Sequence, residues 1–123
     1  MNDPRMFLPL SAQQFQILLA LTDADRHGYG IILDVEERTR GEVRLGTGTL
    51  YTAIAGMLDG DLIAEARSRS GEDPRRKYYR LTPLGRSVLQ AETRRLESLV
   101  REARRKGIRA TTRPAQATLS RSK

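Results

Sequence analysis

The chain has 123 residues, with 22 Lys+Arg against 15 Asp+Glu, one His, no Cys and no Trp. That length supports one compact core and not two, and the missing cysteines exclude disulfides, thiolate metal sites and cysteine nucleophiles. The longest aliphatic run, ILLAL, falls far short of the ~20 residues of a membrane span, and the start MNDPRMFLPLS has no basic lead or long apolar centre for export, so a cytoplasmic protein with no membrane partner is expected.

Charge is distributed unevenly. Residues 1–66 hold 5 basic and 10 acidic side chains, leaving 17 basic and 5 acidic for residues 67–123. A positive field confined to the C-terminal half predicts a polyanionic partner at one face. Nucleic acid is favoured over acidic lipid, because no basic amphipathic helix with Trp or Phe accompanies the charge.

In chain order, PLSAQQFQILLALT predicts a first helix. Ser11 caps it, Gln14 completes a capping box, and Leu10 packs on Phe15 as a staple. Ile17, Leu18 and Leu21 form its apolar stripe, and DADRHG ends it. GYGIILDVEERTRG predicts a second helix with Tyr29, Ile32, Val35 and Thr39 near one face and Gly41 as its stop. EVRL allows only a stub of strand. Thr47 or Gly46 then caps a third helix with Leu50, Ile54, Met57 and Leu58 inward, and Gly60 ends it.

LIAEARSRS alternates apolar and polar residues, GEDP is rich in turn formers, and RRKYYRLT favours a returning strand, which together predict a two-stranded hairpin with a charged tip. Tyr78 and Tyr79 alternate across that strand, so one is expected in the core and the other outside. Thr82 and Pro83 supply a cap and a first-turn proline for a long fourth helix ending near Lys106. There Leu89, Leu96 and Ala103 recur every seven residues, with Leu99 and Val100 on the same side, more apolar surface than a small domain covers alone. The tail GIRATTRPAQATLSRSK has four basic residues, no acids and little apolar content, and is expected to be disordered.

Three helices, a hairpin and a long helix form the element order of a winged helix-turn-helix, whose third helix enters the DNA major groove while the wing lies over phosphates. The fold class is therefore mainly α with a small β-hairpin. Residues 1–81 would form the DNA-binding domain, 82–106 a dimerisation helix and 107–123 a basic tail. HGYGI, GTGTLYTAIAGMLDGDLI and RRKYYRLTPLGR, in this order over roughly residues 8–100, resemble the patterns HGYEI, GTLYPALRRLEEEGLI and RKYYRLTxxGR of the PadR family of bacterial transcriptional regulators. The resemblance implies a homodimeric DNA-binding regulator, usually a repressor, with the fourth helix in the dimer interface. By motif position it places Tyr29, Thr49, Tyr51 and Thr52 toward DNA and Arg76 and Lys77 in the wing. Thr52 stands where the family commonly has proline, and AIAGMLDGD replaces a stretch rich in Arg and Glu, so base contacts made by basic residues there do not transfer.

The candidate DNA-binding set is Tyr29, Thr47, Thr49, Tyr51 and Thr52, with Arg67, Arg69, Arg75, Arg76 and Lys77 supplying the charge that the third helix lacks. Two roles stay open for Tyr51: a half-buried packing residue or a DNA contact. The dimerisation candidates are Leu89, Leu96, Leu99, Val100 and Ala103. His27 has no second histidine or cysteine nearby for a metal, and local hydrogen bonding at a helix start is the expected role. GTGT lacks the Lys-Ser/Thr ending of a phosphate loop, and no nucleophile elbow accompanies the one histidine, so neither a cofactor nor an enzyme is expected. The sequence names no small-molecule effector. The rival reading is a winged-helix module for protein docking or RNA binding.

Overall fold

The structure, a computed structural model, describes residues 3–67 and 73–111. It divides into two compact units, one running through Thr93 and one starting at Arg94. In the first unit a short 3-10 turn, Pro4–Phe7, leads to α1 (Ala12–Ala20). The capping box forms as expected: Ser11 Oγ accepts from Gln14 N–H and the Gln14 carboxamide oxygen accepts from Ser11 N–H, each at 3.0 Å. Leu10 and Phe15 both join the core beside Ile17, Leu18 and Leu21.

Helix α2 (Gly28–Arg38) buries Gly28, Ile31 and Val35, one residue out of phase with the Tyr29–Ile32 face that the sequence predicts. Tyr29 is 57 % exposed. The reason lies in Gly28, where a Cβ would fall on the Tyr51 hydroxyl; the missing side chain lets α2 approach the neighbouring helix at this position. The chain leaves α2 through two positive-φ residues, Arg40 (53°) and Gly41 (80°), as Gly41 N–H donates to the Glu36 carbonyl at 2.8 Å. No strand forms over 42–45. Instead Val43 N–H donates to Thr39 Oγ1 at 3.1 Å, a side-chain turn that competes with strand pairing.

Helix α3 (Thr47–Asp59) runs from Gly46, its N-cap without a side-chain bond, to Gly60, its C-cap, so Thr47 is the first helical residue rather than the cap. Leu50, Ile54 and Met57 are buried, while Leu58 is half-buried against the same core. Among the described residues the sheet has three strands, not two, because β1 (Arg26–His27) adds to β2 (Ile63–Ala66) and β3 (Tyr78–Leu81) in the order β1-β3-β2. That central position for β3 corrects the expected alternation of its tyrosines: Tyr78 and Tyr79 are both buried. Tyr79 joins the core, and Tyr78 meets the His27 ring edge-on at 5.2 Å.

Helix α4 (Pro83–Arg105) is anchored at its start by Thr82, whose hydroxyl oxygen accepts from Gly85 N–H at 2.9 Å. A Cβ on Gly85 would collide with the Leu62 carbonyl, so the helix lies directly on that backbone. Val88 and Leu89 complete the core. Leu89 is only 5 % exposed, so this chain's own packing occupies a residue that the seven-residue repeat assigns to dimerisation. Glu92, 2 % exposed, accepts from Leu10 N–H at 3.1 Å, satisfying a buried amide that precedes α1.

In the second unit the distal turns of α4 leave Leu96 (38 %), Leu99 (48 %) and Val100 (48 %) exposed. The helix closes at Gly107, φ 87°, where Ile108 N–H donates back to the Ala103 carbonyl at 2.8 Å. Arg69 and the tail expected to be disordered, from 112 onward, lie outside the described residues.

The same substitution at two helical glycines should have opposite signs. Gly56 in α3 faces open space, so Gly56→Ala should stabilise by roughly 0.5–1 kcal/mol. Gly85→Ala must displace the Leu62 backbone and should destabilise by about 1–3 kcal/mol. Urea unfolding midpoints check both.

Candidate nucleic-acid interface

At 100° per residue, α3 turns Leu50, Ile54 and Met57 inward and leaves Gly48, Thr52 and Ala55, with Asp59 at its last turn, at the centre of its outer face. Thr49 falls on one flank and Tyr51 on the other. Thr47, Thr49, Tyr51 and Thr52 are all exposed, so the structure presents the four side chains of α3 that the sequence singles out. None of them is charged.

Tyr51, 46 % exposed, packs with its hydroxyl end against the Gly28 backbone, as the half-buried reading expects. It also lines an open groove shared with Tyr29, His27, Tyr79 and the cationic run Arg75, Arg76 and Lys77. The wing is thereby placed against one flank of α3. Arg67, just past β2, is exposed. Burial pushes the Tyr79 phenol above its ordinary pKa, with smaller contributions from Tyr51 and Glu65, so it stays neutral beside these cations.

The wing cations have acidic partners within the chain. Asp73 accepts from Arg75 N–H at 2.9 Å and Nε at 3.1 Å, and these hydrogen bonds hold its carboxyl below the usual carboxylate range. Arg76 Nε lies 3.9 Å from Asp73, and Lys77 Nζ 3.7 Å from Glu65. All three cations are exposed, so these pairs contribute little to stability and exchange readily for an external anion.

His27 joins the wing to the helix pair. Its Nδ1 accepts from Gly30 N–H at 3.0 Å, making His27 the side-chain cap of α2. Arg76 Nη1 lies 2.7 Å from Nε2 and 3.2 Å from Nδ1 of the same ring. One atom reaches both nitrogens only from above the ring plane, so the guanidinium lies over the imidazole as a cation on a π face. Sequence reasoning assigned His27 its helix-start role and missed its hold on Arg76, for which only its proximity to Gly28 and Tyr29 offered a signal. Among the described residues no group of three or more His, Cys, Asp or Glu side chains is placed to hold a metal, and no helix is long and apolar enough to cross a membrane.

The three-helix unit with its three-stranded wing and following long helix is a winged helix-turn-helix of the kind found in transcriptional regulators. Residues 17–91 match the transcriptional regulator PadR-like family, and the chain belongs to it. It is 36 % identical over 93 residues to transcriptional regulator Rv3488 of Mycobacterium tuberculosis, covering 75 % of this chain and 82 % of that protein. A crystal structure of a PadR family transcription regulator from Clostridium difficile is similar with a TM-score of 0.64 and 28 % identity, covering 77 % of this chain and 97 % of that one. A transcriptional regulator from Clostridium thermocellum gives a TM-score of 0.66 at 26 % identity, with coverage of 81 % and 99 %. The family is one of regulators, so the chain is a transcriptional regulator and not an enzyme.

His27→Ala removes the cap of α2 and should cost about 1 kcal/mol in a denaturation experiment. His27→Asn, which retains a capping acceptor, should recover most of that loss. Equal losses for the two variants would show that the ring's contact with Arg76, rather than the cap, carries the stability.

Proposed function

We propose that this regulator binds duplex DNA in the cytoplasm as a homodimer, with α3 in the major groove and the wing over flanking phosphates, and that it represses transcription from an inverted-repeat operator. The observation that supports this most directly is the juxtaposition of an exposed α3 face that is uncharged from Thr47 to Gly56 with a groove carrying Arg75, Arg76 and Lys77. Hydroxyls, methyls and an aromatic edge suit base reading, whereas three long cationic side chains suit phosphate neutralisation. Tyr29 joins the phosphate side through the groove that it shares with them, and Arg67 extends the positive surface.

Residues 1–81 serve as the reading domain and the helix over 82–106 as the means of pairing. The stripe for pairing consists of Leu96, Leu99, Val100 and Ala103. A helix that exposes three large aliphatic side chains within five residues is marginal in water, and a second copy covering them removes that cost. A two-fold pair sets two α3 helices about one DNA turn apart, ~34 Å, or a multiple of it. Occupation of such a site blocks access to the promoter, which is how the family resemblance favours repression.

Binding to random-sequence duplex across a salt series tests the wing. Replacing Arg75, Arg76 and Lys77 together by Ala should flatten the plot of log K against log salt by about 0.9 for each phosphate that is no longer neutralised. An unchanged slope would remove the wing from the DNA-binding surface, and tighter binding to single-stranded RNA than to duplex would favour the RNA-binding module. Light scattering tests the pairing: Leu96→Glu should give a folded monomer, because dimerisation would bury an unpaired charge against apolar surface. A mutant that stays dimeric would place the interface elsewhere.

A further inference from the structure

The flank of α3 opposite the wing carries a second groove, formed with the start of α1 and lined by Gln13, Gln14, Thr49 and Thr52 among others. No residue lining it is charged. Two of its polar side chains are already committed: Ser11 and Gln14 bond each other's backbones in the capping box. Gln13 lies outside that box and is exposed. Its carboxamide therefore shares the groove with the hydroxyls of Thr49 and Thr52, on a surface whose other flank holds all three wing cations.

We infer that Gln13 of α1 is a specificity-determining residue, which reads an A·T base pair at the edge of the α3 footprint together with Thr49 and Thr52. This deepens the DNA-binding reading and rests on it. A carboxamide donates and accepts in the pattern that adenine presents through N7 and the N6 amino group, and a threonine methyl suits the thymine methyl. A neutral groove releases no counterions, so it adds little to nonspecific affinity. The two flanks of α3 then differ in kind, the wing side acting on any duplex and the α1 side discriminating among sequences. With Ser11 and Gln14 holding the first turn of α1, the Cα of Gln13 is fixed while its side chain remains available.

Parallel selections from a randomised duplex library of ~30 base pairs, about three helical turns, test this on every candidate operator at once. Wild-type protein, Gln13→Ala and the triple wing variant are each used, with melting curves confirming that all are folded. Gln13→Ala should enrich a motif that matches the wild-type motif except for loss of an A·T preference at one position in each half-site. On the wild-type motif it should bind roughly 5- to 150-fold more weakly, the range for one good base contact, with unchanged affinity for random duplex and unchanged salt slope. An identical motif from Gln13→Ala, or an equal weakening on motif and random duplex, would overturn the assignment while leaving the wing and α3 reading intact. Failure of the wild-type protein to enrich any motif would overturn both.

Discussion

The proposed DNA-facing surface depends on the pairing of two residues, Arg26 and His27, with Tyr79 and Tyr78 of β3. A hairpin of two four-residue strands is marginal by itself, and a third strand with a covered face is what gives such a sheet independent stability. Here β1 also leads without a break into α2, because His27 ends the strand and caps the helix. One dipeptide thus ties the wing to the helix pair, and Arg76 lying over the His27 ring extends the tie toward the loop. Without this pairing, the groove shared by Tyr51 and the wing cations would have no fixed geometry.

The surface that results separates two physical tasks. Side chains on α3 are neutral up to Leu58, and the helix carries Gly48 and Gly56 with open space around both, at a cost to helix stability that no internal contact explains. The wing carries charge, but its cations are already matched to Asp73 and Glu65. Such exposed pairs are weak enough to exchange for phosphates, so the free protein holds its cations near one another without strong self-repulsion. Tight packing lies behind this surface, where Gly28 admits Tyr51 and Gly85 admits the Leu62 carbonyl.

Much of the fold was legible because it is written in local chemistry. The Ser11–Gln14 box, the Gly60 stop and the Thr82–Pro83 start of α4 each concern neighbours within a few residues, and each appears where the sequence places it. The misses involve partners far apart in the chain. Nothing local in Arg26–His27 signals a strand, since its partner lies about fifty residues away, and the burial of both Tyr78 and Tyr79 follows from that unseen pairing. The phase of α2 was misread for a similar reason, because Gly28 faces inward only to admit Tyr51 of α3. Leu89 fits a seven-residue repeat and a core equally well, and only the tertiary packing separates these readings. Of the candidate site, the exposure of Thr49 and Thr52 was anticipated through family motifs, whereas Tyr29 was pointed toward DNA by those motifs but toward the packed face of α2 by periodicity, and Tyr51 was left open. Gln13 and the wing-holding contact of His27 were not anticipated, since each depends on a groove or stacking contact formed by separate elements.

Amide hydrogen exchange with and without saturating duplex at low salt tests the central claim that α3 and the wing form one contact surface held together by β1. That account predicts slowed exchange appearing together over 47–56 and 75–79 when DNA binds, with the acidic stretch 36–42 unchanged. Protection confined to 94–108, or to the wing with α3 left as in the free protein, would contradict it.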